Sequence, residues 1–145
     1  MGFSIKTFSY GSPEYHLSIK LRYRILRLPL GLEFTEDELK KDVGDTHFGL
    51  FENERLLACL ILSTGENGRL KMRQVAVDDA CQGKGLGKML SLAAEAFAKK
   101  HNFGVIYCNA RKSAAPFYQK LGYKITSAEF TEVGIPHYVM EKELE

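Results

Sequence analysis

The stretch Gln82-Gly83-Lys84-Gly85-Leu86-Gly87-Lys88 holds the residue types best suited to chemistry. Its alternate glycines let a backbone turn tightly and approach a ligand. A helix starting there presents free N–H groups at the positive end of its dipole. Lys84 and Lys88 add mobile positive charge, so the segment predicts a phosphate cradle. Spacing decides which kind. A Walker loop needs Gly, four residues and then Gly-Lys-Ser/Thr; here Gln82 stands where its first glycine belongs and Met89 where its hydroxyl belongs. The dinucleotide fingerprint G-x-G-x-x-G finds Gly83 and Gly85 but meets Lys88 at its third position, and several strand-like runs precede the loop. Both templates fail.

Elsewhere the sequence excludes more than it offers. Cys59, Cys81 and Cys108 are odd in number and lack C-x-x-C spacing. They read as reduced packing residues rather than a disulfide framework or a zinc site, and no metal is expected. A formal net charge of +2 with no long basic run argues against a nucleic-acid partner. No apolar run approaches the roughly 20 residues of a membrane span, so no membrane partner is expected and the cytoplasm is the default compartment. At 145 residues the chain fits one domain, 1–145, with room for a core that needs no staples.

The elements that must position the loop follow from periodicity. Phe3 to Phe8 alternates like a strand, and Ser12-Pro13 opens a helix whose apolar stripe is expected at Leu17, Leu21, Ile25 and Leu28, with Pro29 as its stop. Thr35 with Glu38 three residues on forms a capping box for a short second helix. Three strand-like runs follow, Thr46 to Phe51, Leu56 to Ser63 and Arg69 to Val77, separated by turn-forming segments. Beyond the loop, a helix from about Gly85 to Lys100 carries Leu86, Met89, Leu90, Ala93 and Phe97 on its expected inner face. Val105 to Asn109 reads as a central strand, Ser113 to Lys120 as a helix, and Tyr123 to Thr131 and His137 to Leu144 as two last strands. The order βααβββαβαββ predicts an α/β (α+β) fold: a mixed, mostly antiparallel sheet of about seven strands flanked by about four helices.

A third loop template, Gln/Arg-x-x-Gly-x-Gly/Ala, is satisfied by Gln82, Gly85 and Gly87. With it the chain resembles the GNAT superfamily of N-acetyltransferases. Arg73-Gln74-Val75-Ala76-Val77 is similar to the family's fourth strand, and Ala114-Ala115-Pro116-Phe117-Tyr118-Gln119-Lys120-Leu121-Gly122-Tyr123 to its FYxKLGF/Y element. The ending Ile135-Pro136-His137 through Lys142 resembles a branch closing in Ile-Pro-His-x-x-Met-x-Lys.

The resemblance implies acetyl-CoA as cosubstrate and transfer of its acetyl group to a primary amine by direct attack. It implies that the Val75, Ala76 and Val77 backbone meets the pantetheine amides, and that Gln82, Gly83, Lys84, Gly85, Leu86, Gly87 and Lys88 hold the pyrophosphate. Phe117 and Tyr118 would also face the cofactor, with Tyr118 as the acid that protonates the departing thiolate. Many members carry an Asn seven residues before that tyrosine; here the position is Arg111. The cofactor role falls either to Asn109 on the same strand face or to no residue at this strand end, with Arg111 open to substrate or phosphate instead. No carboxylate occupies Lys71 to Gln74, where the family's base often stands, so His137 is the leading base candidate, with Glu132, His47 and Glu33 as others. Acceptor recognition falls to Arg22, Tyr23, Leu26, Arg27 and Phe34. The acceptor is a small-molecule or peptide amine, and a homodimer is compatible with the resemblance. Two other functions fit the same residues: a catalytically silent acyl-CoA sensor, and a binder of another phosphorylated ligand.

Overall fold

The computed structural model describes residues 2–145. Strands β1 (Ser4–Phe8), β2 (Thr46–Glu52), β3 (Arg55–Thr64) and β4 (Leu70–Val77) form an antiparallel meander. β5 (Val105–Arg111) joins β4 in parallel, and β8 (Ile135–Glu143) joins β5 antiparallel. The short β6 (Lys124–Ile125) and β7 (Phe130–Glu132) both pair with β8. The result is the mixed, mostly antiparallel sheet expected, with eight strands in the order β1-β2-β3-β4-β5-β8-β6 and β7 also on β8. The additional strand arises because the run from Tyr123 to Thr131 divides. The Val139 amide, which would continue the ladder, donates instead to the Ser127 hydroxyl at 2.9 Å, a side chain outcompeting the backbone.

Helices cover both faces: α1 (Pro13–Arg22) and α2 (Glu36–Lys40) come early in the chain, α3 (Leu86–Lys100) and α4 (Ala115–Lys120) late. Strand alternation divides the core accordingly. Leu50, Leu60, Leu62, Met72, Ile106 and Met140 pack with α3 and α4, while Phe51, Leu56, Cys59 and Ala76 pack with Leu21 of α1. Burying one such leucine contributes roughly 1.5–3 kcal/mol. Among the described residues no helix is long and apolar enough to cross a membrane.

Local signals hold well. The Ser12 hydroxyl accepts from the Tyr15 amide at 3.1 Å, and Thr35 and Glu38 exchange both capping-box bonds. Two helical faces differ from expectation. In α1 the inward residues are Tyr15, Ser18, Leu21 and Arg22, whereas Leu17 and Leu28 are 40% and 52% exposed. The helix rolls because Tyr15 and Arg22 share a buried partner, Asp42, described below. In α3 the buried row is Leu86, Leu90, Ala94 and Ala98; Met89 lies outside it, while Ala93 and Phe97 are partly buried at its flank. Small residues along that row let the helix approach the sheet closely.

Candidate active site

β4 and β5 share two register pairs, Leu70 with Ile106 and Lys71 with Tyr107, and then part. The parting is built into β4. Its pairing with β3 slips between Cys59 and Ile61, and Gln74 adopts φ +55° within the resulting bulge. A left-handed non-glycine residue costs roughly 1–2 kcal/mol, and such strain persists only when its surroundings impose it. Arg22 Nε reaches Gln74 Oε1 at 3.3 Å and supplies part of that restraint. Beyond Lys71, β4 therefore has an edge without a partner on β5. The gap opens into a cleft of about 660 Å³.

One end of the gap is the glycine loop. Gly83 and Gly85 both take φ +81° with nothing near a would-be Cβ, so their glycine requirement is conformational. Gly87 is different: a Cβ there would stand 3.3 Å from the Phe117 ring and 3.6 Å from Val77. The contact brings the end of β4, the first turn of α3 and the first turn of α4 together. Gln82 turns back, its amide donating to the Val77 carbonyl at 3.2 Å, and Leu86 is buried beneath the loop. Gln82, Gly83, Lys84, Gly85 and Lys88 stay exposed, leaving the start of α3 open to an anion.

The other end rests on a charge network under the cleft. Asp42 is fully buried and accepts from Tyr15 at 2.6 Å, Arg22 at 2.9 Å and Arg73 at 2.8 Å. Burial by itself would raise its carboxyl, but these hydrogen bonds and the Arg22 charge outweigh burial and hold it below the usual range. Arg73 also pairs with Asp45 at 2.9 Å. Past Arg22 the helix widens into a π turn, Tyr23–Arg27, in which the Leu28 amide donates to the Tyr23 carbonyl. That turn carries Leu26 and Arg27 to the cleft, where Arg27 pairs with Glu38 at 3.0 Å. The Phe34 ring packs against both guanidiniums, 4.9 Å from Arg22 and 4.4 Å from Arg27. Arg22, Leu26 and Phe34 thus line the cleft as expected, while Tyr23 does not. The Arg22 and Arg27 charges are already neutralised by protein carboxylates.

Between these ends stand Tyr118 and His137, both buried and both lining the cleft. Burial, with a smaller contribution from Cys108, raises the Tyr118 phenol well above its ordinary value, so it stays protonated. His137 Nδ1 lies 2.9 Å from the Ile135 carbonyl. A carbonyl only accepts, so Nδ1 carries the proton in the neutral ring and Nε2 keeps its lone pair. Glu132 Oε2 lies 3.6 Å from Nε2, and Glu132 Oε1 accepts from Asn109 at 3.1 Å. The turn joining β7 to β8 makes this possible: Val133 at φ +47° and Gly134 at φ +80° fold Glu132 back beside His137. His47 is buried and bonded to the Asp42 carbonyl, and neither it nor Glu33 lines the cleft. Burial pushes the Cys108 thiol up to about 12, a poor setting for a nucleophile. All three cysteines are free and buried.

The acetyltransferase (GNAT) domain family matches residues 32–144, most of the chain. The chain belongs to that family. By family it is an acyltransferase domain. Among its relatives is the uncharacterized protein YyaT of Bacillus subtilis, 38% identical over 74 residues, or 51% of this chain and 50% of YyaT. The chain spans about half the length of the first curated relatives it matches. Among solved structures, a candidate N-acetyltransferase from Lactobacillus plantarum superposes with a TM-score of 0.88 at 23% identity, covering 100% of both chains. A GNAT family acetyltransferase from Elizabethkingia anophelis, solved with acetyl-CoA bound, has a TM-score of 0.75 at 18% identity and covers 98% of both. At these identities the structures share a fold.

Within this GNAT domain two parts of the expected site fall differently. Val75, Tyr118, His137 and Asn109 come together in the cleft. Val77, Gly87 and Phe117 meet at the loop, outside it. Asn109 turns to Glu132, beside the base candidate. The Asp42 network was not legible. Its one trace in the sequence is Arg22, a charge directly beside the apolar Leu21 on a helix that must bury one face.

Proposed function

We propose that this domain transfers an acetyl group from acetyl-CoA to a primary amine by direct attack in a ternary complex. The observation that carries the reading is the fork: β4 and β5 part after Lys71, and a protonated phenol and an imidazole with a free lone pair line the space between them. Residues on the cofactor side fit the ligand. The edge of β4 turned toward β5 has no strand partner around Val75, Ala76 and Val77 and suits an extended chain of amides, since pairing satisfies donors and acceptors that otherwise stay open. The open left-handed glycines and the start of α3 suit a pyrophosphate, with Lys84 and Lys88 as counter-charges.

Bound acetyl-CoA supplies an activated thioester. His137 Nε2 takes the proton that an ammonium must lose before it can attack, and Glu132 steadies the imidazolium that results. Tyr118, kept protonated by its burial, delivers a proton to the departing sulfur. Cys108, buried and held as a thiol, takes no part. A silent acyl-CoA sensor would keep the cradle but would not need the Glu132–His137 pair.

The test is free-thiol release from acetyl-CoA across an amine panel, beside calorimetry with CoA, ADP and inorganic phosphate. Amine-dependent release with acetylated product is expected. Tight CoA binding without release from any amine would support the sensor; equal binding of phosphate and CoA would support a generic phosphate binder.

A further inference from the structure

The cleft-lining cations divide sharply by what they touch. Arg22 and Arg73 are bound to Asp42, Arg73 also to Asp45, and Arg27 to Glu38. Arg111 is half-buried in the same cleft, and no carboxylate among the described residues pairs with it. One of its N–H groups donates to the Leu26 carbonyl at 2.8 Å. That bond anchors the guanidinium against the π turn and leaves its other donors uncommitted. A fixed guanidinium fork with free donors suits a carboxylate.

What stands beside Arg111 narrows the ligand. Arg111 and His137 are direct register partners on β5 and β8, and facing residues on antiparallel strands lie about 4.5–5.5 Å apart. Glu132 carries the one lining carboxylate with no Lys or Arg partner among the described residues, and it lies on His137. The cleft thus presents a negative group with a base and, one residue-width away, an unpaired positive group. This is the complement of a zwitterion whose ammonium and carboxylate are close together. Lys41 and Lys71, also lining the cleft without acidic partners among the described residues, add to the positive side.

We propose that the acceptor is a free amino acid, its carboxylate held by Arg111 and its amino group presented to His137 and Glu132. The inference rests on the acetyl-transfer reading, yet it also predicts binding that needs no turnover. Arg111 also acts as a cation at the end of a helix, so the test must separate anion binding from that capping role.

The experiment compares L-α-amino acids with their α-amides, as acceptors and as ligands of protein saturated with CoA, in wild type and Arg111→Gln. Wild type should favour acid over amide by at least about tenfold, and Arg111→Gln should erase most of that ratio. Arg111→Lys keeps the charge but loses the fork; it should give an intermediate ratio, and it is the decisive variant if Arg111→Gln does not fold. A wild-type ratio near one, an unchanged ratio in the variants, or binding of neither member of any pair would overturn the proposal. Selective binding of the acid without thiol release would uphold the zwitterion site and count against acetyl transfer. Thiol release with amides and simple amines alike would do the reverse.

Discussion

The two ends of the gap between β4 and β5 are built on different principles. At the loop, the backbone does the work: Gly83 and Gly85 supply left-handed turns, Gly87 supplies closeness to Phe117, and the start of α3 supplies free N–H groups. At the acceptor end, side chains do it: Tyr15, Arg22 and Arg73 converge on Asp42, and Glu132 and Asn109 converge around His137. A backbone site depends on short sequence and on glycine. A side-chain site depends on partners brought from distant strands and helices. Mutations should therefore act locally at the loop, and through stability and geometry at the acceptor end.

The largest effect should fall on the network. Asp42→Ala leaves two guanidiniums and a phenol without their shared acceptor, and loss of a buried ionic partner costs about 3–5 kcal/mol. Urea denaturation reads it; a loss under 1 kcal/mol would mean the network is not the foundation of that end. Next, Tyr118→Phe should lower kcat by about 10²-fold or more while the calorimetric Kd for CoA changes far less. Unchanged turnover removes the phenol from the mechanism.

At the loop, Gly87→Val forces branched carbons toward Phe117 and Val77 and should cost roughly 1–3 kcal/mol as the three elements separate. CoA binding should weaken with it, by about tenfold, whereas Gly104→Ala, with open space around its Cβ position, should leave binding unaltered. Equal behaviour of the two variants would contradict the packing role of Gly87.

The smallest effect is a pH dependence confined to the network end. Burial lowers the His47 pKa from its ordinary value near 6.5, so the folded state holds it neutral. Its contribution is complete above that value and is lost as pH falls through the window below it, by up to roughly 1.4 kcal/mol per pH unit. The Asp42 carboxyl, held low, resists until more acid conditions and then loses its share as pH falls through its depressed pKa. His47→Gln should flatten the first decline and leave the second; a stability curve identical to wild type would exclude His47 as its source.

The same contrast explains what the sequence disclosed. Thr35 with Glu38, Ser12 with Pro13, and the glycine spacing from Gly83 to Gly87 are legible because the groups that satisfy them lie within a few residues. The roll of α1 was not, since Arg22 turns inward for Asp42, twenty residues on, and for Gln74, fifty-two residues on. The Glu132–His137 pair was half legible: both residues stood as separate base candidates, but their meeting depends on Val133 holding a left-handed conformation that a β-branched residue rarely takes. The Met89 side of α3 misled because apolar character alone does not tell which of two neighbouring helical rows lies closer to the sheet.

The central claim is that both ends are occupied at once and that the acetyl group passes directly between them. Initial rates with acetyl-CoA and amine varied together test it most directly. Direct transfer predicts double-reciprocal lines that intersect and a Cys108 that carries no acetyl group when acetyl-CoA is added alone. Parallel lines, with an acetylated Cys108 trapped before the amine is added, would contradict the account.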